Sequence, residues 1–479
     1  MSATAISMRA RALAITAPLL LTGCMVGPKY ARPSAPQPPT FKEAAGWQPA
    51  QPQDAALRGD WWTMYGDADL NAYEQQVEAA NQNLKLAATN YVQARAAVQA
   101  ARANLFPFLG AGANATRSRF SYNRAMYFKG IPNQYNDFNL PLEVSWEPDF
   151  WGRVRHTVLQ AKANAQVSAA TGQNVRLSMQ ADLATDYFQL RGLDAEEQIL
   201  NQTVSVLQRS LQLTEDRYHG GLNSELDVAQ ARTLLESTRA EAQDVGVACA
   251  QYEHAIAVLM GEPPSSLSIA PRVLHTQPPA IPAGLPSQLL ERRPDIAMAE
   301  RTMAAANEQI GLARSAYYPT FTLTGLGGFE SAHPGNWFTG PSSFWSTGLS
   351  SSELLFDWGQ RHALDVQAQA AYDGTVAMYR QTVLSAYQEV EDNLAALRIL
   401  QQETDTQQQA VAAARRQEQI AQSRYENGID NYLNVTAAQS IELSNELTAA
   451  QIWTRRMTAS VLLLKALGGG WNASQLPKF

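Results

Sequence analysis

Between Phe138 and Trp146 the chain alternates with period two. Phe138, Leu140, Leu142, Val144 and Trp146 are apolar, and Asp137, Asn139, Glu143, Ser145 and Glu147 are polar. A period of two belongs to a strand with one wet face and one face suited to lipid. A later segment repeats the pattern, with Phe321, Leu323 and Phe329 set against Thr320, Thr322 and Thr324. Two weaker segments complete the set: a Gly/Ala-rich one from Phe108 to Arg117 and a Ser-rich one from Phe344 to Phe356. Gly/Pro/Asn-rich stretches near 119–134 and 331–342 join the strands of each pair. Four strands cannot close a barrel. An open edge in hydrocarbon leaves N–H and C=O groups unpaired, at a cost of roughly several kcal/mol each. Barrels of this kind begin at about eight strands, which fill their own interior. The chain must borrow strands from its own copies. Two copies give a plugged tube, and more give an aqueous lumen, so the alternation predicts a homo-oligomeric pore.

The chain also repeats itself at a spacing of 207 residues. Tyr218-His-Gly-Gly221-Leu222-Asn-Ser-Glu-Leu226-Asp-Val228 returns as Tyr425-Glu-Asn-Gly428-Ile429-Asp-Asn-Tyr-Leu433-Asn-Val435. Asp149-Phe-Trp151-Gly152-Arg153 returns as Phe356-Asp-Trp358-Gly359-Gln-Arg361. A period this long marks a duplicated half, not a solenoid unit. Each half reads as helix, two strands, long helix, turn, long helix. The reading divides the chain into 1–23 (signal peptide), 24–60 (proline-rich strap), 61–260 (first half), 261–294 (irregular linker), 295–467 (second half) and 468–479 (tail).

The helices are long. Arg155 to Tyr218 holds no proline, and its 64 residues span ~96 Å at 1.5 Å each. Leu200, Val204, Leu207, Leu211 and Tyr218 form one heptad-like stripe, with Ile199, Val206 and Leu213 forming another. Two stripes per helix mean neighbours on two sides, as in a wall or cylinder. Cys249 falls on such a stripe and reads as a packing residue. The fold class is therefore mainly α with membrane β: coiled-coil-like helices forming an α-barrel, and four β-strands per chain. Trp146, Trp151, Trp345 and Trp358, at strand ends, are candidates for a headgroup girdle.

At the start, Ala10 to Leu21 is apolar but far shorter than a span of about 30 Å requires. It follows Arg9 and Arg11 and ends in Leu21-Thr22-Gly23-Cys24, a secretory signal with a small-residue cut site. This ending resembles a bacterial lipobox. The resemblance implies cleavage before Cys24, a thioether diacylglycerol on its sulfur and N-acylation of its amine. More than one acyl chain is what stable anchoring requires. By the same resemblance, Met25 in the following position favours sorting to the outer membrane. Seven prolines between Val26 and Pro52 keep the next segment out of helix, as an extended strap.

Composition excludes several classes. A net charge of −7 gives no polyanion footprint, so nucleic acid is not an expected partner. A mean hydropathy of −0.27 excludes a bundle of membrane helices. The six histidines show no metal-ligand spacing, and no phosphate-binding loop, dinucleotide fingerprint or GxSxG occurs. No enzyme, no metal and no cofactor beyond the lipid on Cys24 is expected.

Several motifs together resemble one family. They are Cys24-Met-Val-Gly-Pro-Lys-Tyr30 with Pro33, Trp61-Trp62-Thr-Met-Tyr-Gly66-Asp67, Arg292-Arg-Pro294-Asp295-Ile through Ala299-Glu300, and the two Tyr-x-x-Gly turns. The chain resembles the TolC-like outer membrane factors over nearly all its mature length, in the lipoprotein branch (OprM/NodT-like) that serves RND-type drug-efflux pumps. The resemblance implies a homotrimer with a twelve-stranded barrel in outer-membrane lipid and a helical cylinder in the periplasm. It also implies a periplasmic adaptor, an inner-membrane RND transporter and passive conduction of drugs or small toxic compounds. Gly221-Leu222 and Gly428-Ile429 become tip positions met by the adaptor. Asp430 matches an aspartate lining the closed aperture, where three copies would raise one another's pKa and favour cations. The places of further family aspartates hold Asn434 and Ala437. Two alternatives stand beside this reading: polypeptide export with an ABC-type transporter, and a structural coiled-coil lipoprotein bridging envelope layers.

Overall fold

A computed structural model describes residues 25–44, 59–123, 125, 132–281 and 290–479. The chain is mostly helical, with a small antiparallel sheet. Helix α1 (Ala68–Ala80) starts on the Asp67 side chain, which accepts the N–H groups of Asp69 and Leu70. Asn81 starts α2 (Gln82–Ala103) in the same way. Strands β1 (Phe108–Ala111), β2 (Asn114–Arg119) and β3 (Gln134–Trp146) follow, then α3 (Arg153–His219) and α4 (Glu225–Leu259). Residues 267–281 carry no regular structure, and beyond them come α5 (Pro294–Ser315), β4 (Thr320–Ser331), β5 (Ser343–Ser352), α6 (Gln360–Glu426) and α7 (Tyr432–Ala466). Helices α3 and α6 have 67 residues each, ~100 Å of continuous helix.

The repeated Asp-Trp-Gly segments start these two helices. Asp149 accepts the N–H groups of Val154 and Arg155 and the guanidinium of Arg155. Asp357 accepts those of Gly359 and Arg361 and pairs with the Arg361 guanidinium at 2.6 Å.

The shorter helices join end to end. Asn81 donates from its side chain to the Leu259 carbonyl at 2.7 Å, so α2 continues the line of α4. Arg293 donates to the Ala466 carbonyl at 2.9 Å, so α5 continues α7. Helix α3 packs between the α4/α2 column and the α7/α5 column, and α6 packs on the far side of the latter. The result is a row of four columns. Its outer flanks carry exposed Leu86, Val92 and Val258 at one side and Met378, Leu384 and Ile399 at the other.

The core lies at the waist, where both halves meet. Trp61, Trp62 and Tyr65 are buried against Tyr187 and Phe188 of α3, with Tyr379, Val383 and Tyr387 of α6 and Met457 and Leu464 of α7. The Tyr65 and Ser460 hydroxyls are 2.7 Å apart in this core. The segment after α4 is stapled on by charge. Arg191 pairs with Asp194 at 2.6 Å, Asp194 also accepts the Arg272 N–H, and Arg272 pairs with Asp67 at 2.6 Å. The strap lies over the second half: Tyr30 donates to Glu300 at 2.6 Å, Arg32 to the Tyr379 hydroxyl at 3.0 Å, and Glu391 accepts the N–H groups of Lys42 and Glu43.

The expected first strand differs in detail. It is two pieces that share one register along β3 and reaches Arg119, not Arg117. The gap falls where Gly112 faces Pro141. Gly112 donates to the Pro141 carbonyl at 2.9 Å, but proline has no N–H to return. The last strand ends at Ser352, short of the expected Phe356.

Candidate functional site

The sheet runs β1/β2, β3, β4, β5, so five segments fill four strand positions. Its register fixes which side chains share a face. One face carries Phe138, Leu140, Leu142, Val144 and Trp146 on β3, with Phe321, Leu323 and Phe329 on β4 and Trp345 and Leu349 on β5. Leu109, Ala111 and Ala115 extend it to the edge. The other face carries Asp137, Asn139, Glu143 and Ser145, Thr320, Thr322 and Thr324, and Ser346, Ser350 and Ser352. From Phe138 to Trp146 the apolar band is ~27 Å along the strand, near the height of a barrel's lipid belt once tilt is included. Leu109, Leu142, Val144, Leu323, Trp345 and Leu349 are exposed within the single chain. Both edges of the sheet, β1/β2 and β5, are free among the described residues. These edges belong to the same subunit whose helix row has two uncovered flanks.

At the opposite end each long hairpin closes through the same turn. His219 ends α3; Gly221 has φ +73°, its N–H bonds to the Tyr218 carbonyl, and the Leu222 N–H bonds to that of Arg217. Glu426 ends α6; Gly428 has φ +72°, its N–H bonds to Tyr425, and that of Ile429 to Arg424. This paired closure needs a left-handed residue, which glycine supplies without strain. Ser224 and Asp227 form a reciprocal cap that starts α4. Leu222 is 79% exposed and Ile429 63%, so both present apolar side chains at the tips.

The two tips are bound to each other. Arg217 of α3 donates to the carbonyls of Tyr425 at 2.8 Å and Glu426 at 2.6 Å, the last turn of α6. Its guanidinium lies 4.6 Å from the centre of the Tyr425 ring. Asn223 donates to the Tyr425 hydroxyl at 2.6 Å, and the Ser210 and Tyr432 hydroxyls are 3.1 Å apart. A small apolar cluster of Ala231, Ala421, Tyr425, Tyr432, Val435 and Ala438 lies behind them.

Asp430 stands on the second tip, paired with Arg424 at 2.7 Å and accepting from the Asn434 side chain at 3.0 Å. The hydrogen bond from Arg424, before any other influence, holds its carboxyl below the usual range. Within one chain the shift therefore runs downward, opposite to the direction expected for a ring of bare aspartates. Arg424 and Asp430 flank the glycine turn six residues apart, a spacing from which their pairing could be found in the sequence. Arg217 has its partner 208 residues away; no local pattern signals that contact.

The four tryptophans do not share one role. Trp151 stacks on Tyr318 and donates to the Pro319 carbonyl at 2.8 Å, tying the two strand-to-helix junctions together. Trp146 donates to the Leu105 carbonyl at 3.1 Å. Trp358 is 90% exposed beside the start of α6. Trp345, 80% exposed, sits opposite Gly327, four residues or ~13 Å beyond the level of Trp146. Cys24 lies outside the described residues. Cys249 is half-buried against the waist core, where burial pushes its thiol up to about 11. Asp194, Glu197 and Cys249 bring ligand-type atoms within 4.8 Å of one another. The Asp194 carboxylate is already committed to Arg191 and the Arg272 N–H. Among the described residues no helix is long and apolar enough to cross a membrane.

Comparison with known proteins gives a consistent result. The family model described as "Outer membrane efflux protein" matches residues 69–262 and 285–469. The probable efflux pump outer membrane protein TtgC of Pseudomonas putida is 32% identical over 463 residues, 96% of this chain and 95% of that protein. The outer-membrane channel OprN matches with a TM-score of 0.86 at 29% identity, covering 94% of this chain and all of that one. The CmeC outer membrane channel of Campylobacter jejuni matches with a TM-score of 0.89 at 25% identity, covering 94% and 96%.

Proposed function

We infer from its place in the outer membrane efflux protein family, to which the chain belongs, that it forms the outer-membrane channel of a tripartite efflux pump. One observation carries the reading: a sheet with an exposed apolar face, a Ser/Thr/Asp face and two free edges. Such a sheet satisfies its backbone in lipid only when copies close it into a ring. Three copies give twelve strands, and the row of four columns then closes into a twelve-column cylinder by the same rotation. The polar face lines the lumen. Solutes delivered at the inner end pass outward without crossing hydrocarbon, and the chain performs no chemical step.

The remaining parts combine the sequence resemblance with this geometry. Bundled tips close the inner end, with Leu222 and Ile429 offered to a periplasmic adaptor that couples the channel to an RND-type transporter. Trp146 and Trp358 lie at the inner membrane-water boundary of the barrel, with Trp151 bracing the junction beneath. Diacylglycerol and an N-acyl chain on Cys24 anchor the chain to the membrane. Purified protein should migrate as an oligomer unless heated, conduct ions in planar bilayers, and restore drug resistance to a strain lacking such channels when its pump is coexpressed. A monomer that carries no current would refute the reading. Cys24→Ala should abolish labelling by radioactive fatty acid, and retained labelling would remove that residue as the anchor.

A further inference from the structure

The outward face of the sheet continues past its apolar band. Along the edge formed by β1 and β2, the side chains on the side of Leu140 and Leu142 are Leu109, Ala111, Ala115, Arg117 and Arg119. On β3 the same side changes from Phe138 to Asn136 and Gln134, which stand opposite Arg117 and Arg119. Two arginines therefore follow an apolar run directly, ~7 Å apart on one side of one strand. Both are exposed, and neither has a partner among the described residues. The carboxylates of the paired strands at this height, Asp137 and Glu330, belong to the opposite face. The two cations are thus unneutralised on the lipid side and screened from the acidic side by the sheet itself.

Four aromatic rings gather at the same height. Phe138 and Phe329 share the outward face. Trp337 lies 5.6 Å from Phe138 and stacks on Phe338 at 5.2 Å, and Phe338 meets Phe329 edge-on at 5.7 Å. The Trp337 indole N–H donates to the Phe329 carbonyl at 3.1 Å, fixing this loop against the sheet. Aromatic rings with cations just beyond them mark the boundary between hydrocarbon and headgroups. A guanidinium matches a phosphate through two parallel hydrogen bonds, and two guanidinia on one strand side suit a headgroup bearing more than one phosphate.

We propose that Arg117 and Arg119, beyond the Phe138–Phe329–Trp337–Phe338 cluster, bind the phosphate groups of a glycolipid in the outer leaflet. This rests on reading the sheet as part of an outer-membrane barrel. The pair stands on the edge strand, so the lipid sits at the seam where β1/β2 meets the β5 of the next copy. Binding there stabilises the assembly as well as the subunit.

The test uses the full-length channel, stripped of lipid in detergent and melted with phosphorylated lipopolysaccharide, the same lipid after phosphatase treatment, or inorganic phosphate. The wild type should gain several degrees with the phosphorylated lipid and lose most of that gain with the dephosphorylated one. R117Q/R119Q should lose the gain, and R117K/R119K should keep part of it. Equal gains in wild type and R117Q/R119Q, or from both lipids, would overturn the proposal. If millimolar inorganic phosphate reproduces or abolishes the gain, the site takes free anions and the lipid assignment fails. Should R117Q/R119Q not assemble, the wild type's response to the two lipids decides. Bilayer conductance separates the two readings: a conducting R117Q/R119Q without lipid gain supports the site, whereas a wild type that never conducts refutes the channel beneath it.

Discussion

Replacing Arg217 by alanine should unlatch the closed tip. In the structure this one side chain bridges the hairpins of the two halves, donating to the Tyr425 and Glu426 carbonyls and lying over the Tyr425 ring. A hydrogen bond from a charged donor contributes about 1.5–3 kcal/mol when sheltered, and a cation at a helix C-terminus about 0.3–1 kcal/mol. A cation over an exposed ring adds about 0.5–1 kcal/mol. Arg217 is only partly buried, and water takes over both carbonyls once the side chain is gone. A net loss of about 2 kcal/mol per subunit follows, which changes each subunit's own closed-to-open ratio by about thirtyfold. Single-channel recording reads this directly: R217A should show a larger mean conductance or longer openings than wild type. Arg217→Lys should fall between, since an ammonium reaches one carbonyl but not both in the guanidinium's fork. An R217A channel whose closed state and lifetimes match wild type would refute the latch. So would an Arg217→Lys channel as leaky as the alanine variant.

Other outcomes are equally specific. Asp430→Asn leaves Arg424 without its counter-charge, so ion selectivity should move toward anions, while Arg424→Ala should move it toward cations; reversal-potential measurements decide, and unchanged values would place the pair off the conduction path. Because Arg424 depresses the Asp430 pKa, the pair is fully present above the ordinary carboxylate range of about 4 and is lost as pH falls through the lower folded value. Tip closure should therefore be insensitive to pH between 5 and 8, at ~25 °C and moderate salt. Gly428→Ala should destabilise by about 1 kcal/mol, the cost of a left-handed backbone alone, because nothing lies within 4 Å of the added methyl. Glu74 is buried with neither carboxylate oxygen bonded, and burial first, then Glu78 and Asp60, raises its pKa well above the usual range. Its folded form holds the proton longer than the unfolded chain, so stability is full below about 4.3 and declines as pH rises through the folded value. Melting of wild type should fall between pH 5 and 9 relative to Glu74→Gln, and parallel profiles would remove Glu74 as the cause.

Much of the architecture is legible because it rests on periodicity. The alternation from Phe138 to Trp146 places every second residue on one face, and the register with β4 and β5 keeps Leu323 and Leu349 on that face. Freedom from proline between Arg155 and Tyr218 forecasts the long helix, which starts two residues earlier because Asp149 caps it. The matched Tyr-x-x-Gly segments forecast two equivalent turns, and both adopt the same left-handed closure. What periodicity cannot carry is pairing between distant residues. Pro141 interrupts the first strand only because Gly112 happens to face it. Asp430 looks like a bare turn acid until the turn folds Arg424 back onto it. Trp337 and Phe338 sit in a Gly/Pro-rich connection whose composition suggests a loop, and only the folded loop lays them on the outward face. Among the four tryptophans, Trp151 reads like Trp358 in the repeat, yet one stacks on Tyr318 and bonds to a carbonyl, while the other is exposed and meets Phe356 edge-on.

The end-to-end joints at Asn81 and Arg293 give the wall a mechanical asymmetry. Two of its four staves are single pieces, α3 and α6, while the other two are spliced at the waist. A one-piece stave links tip to barrel through continuous backbone; a spliced one relies at the waist on side-chain bonds to a terminal carbonyl and on the packing around them. Motion of α4 and α7 about the waist therefore need not be transmitted by backbone to α2 and α5, which lie under the strands. Movement at the inner mouth can then proceed without shearing the wall embedded in lipid.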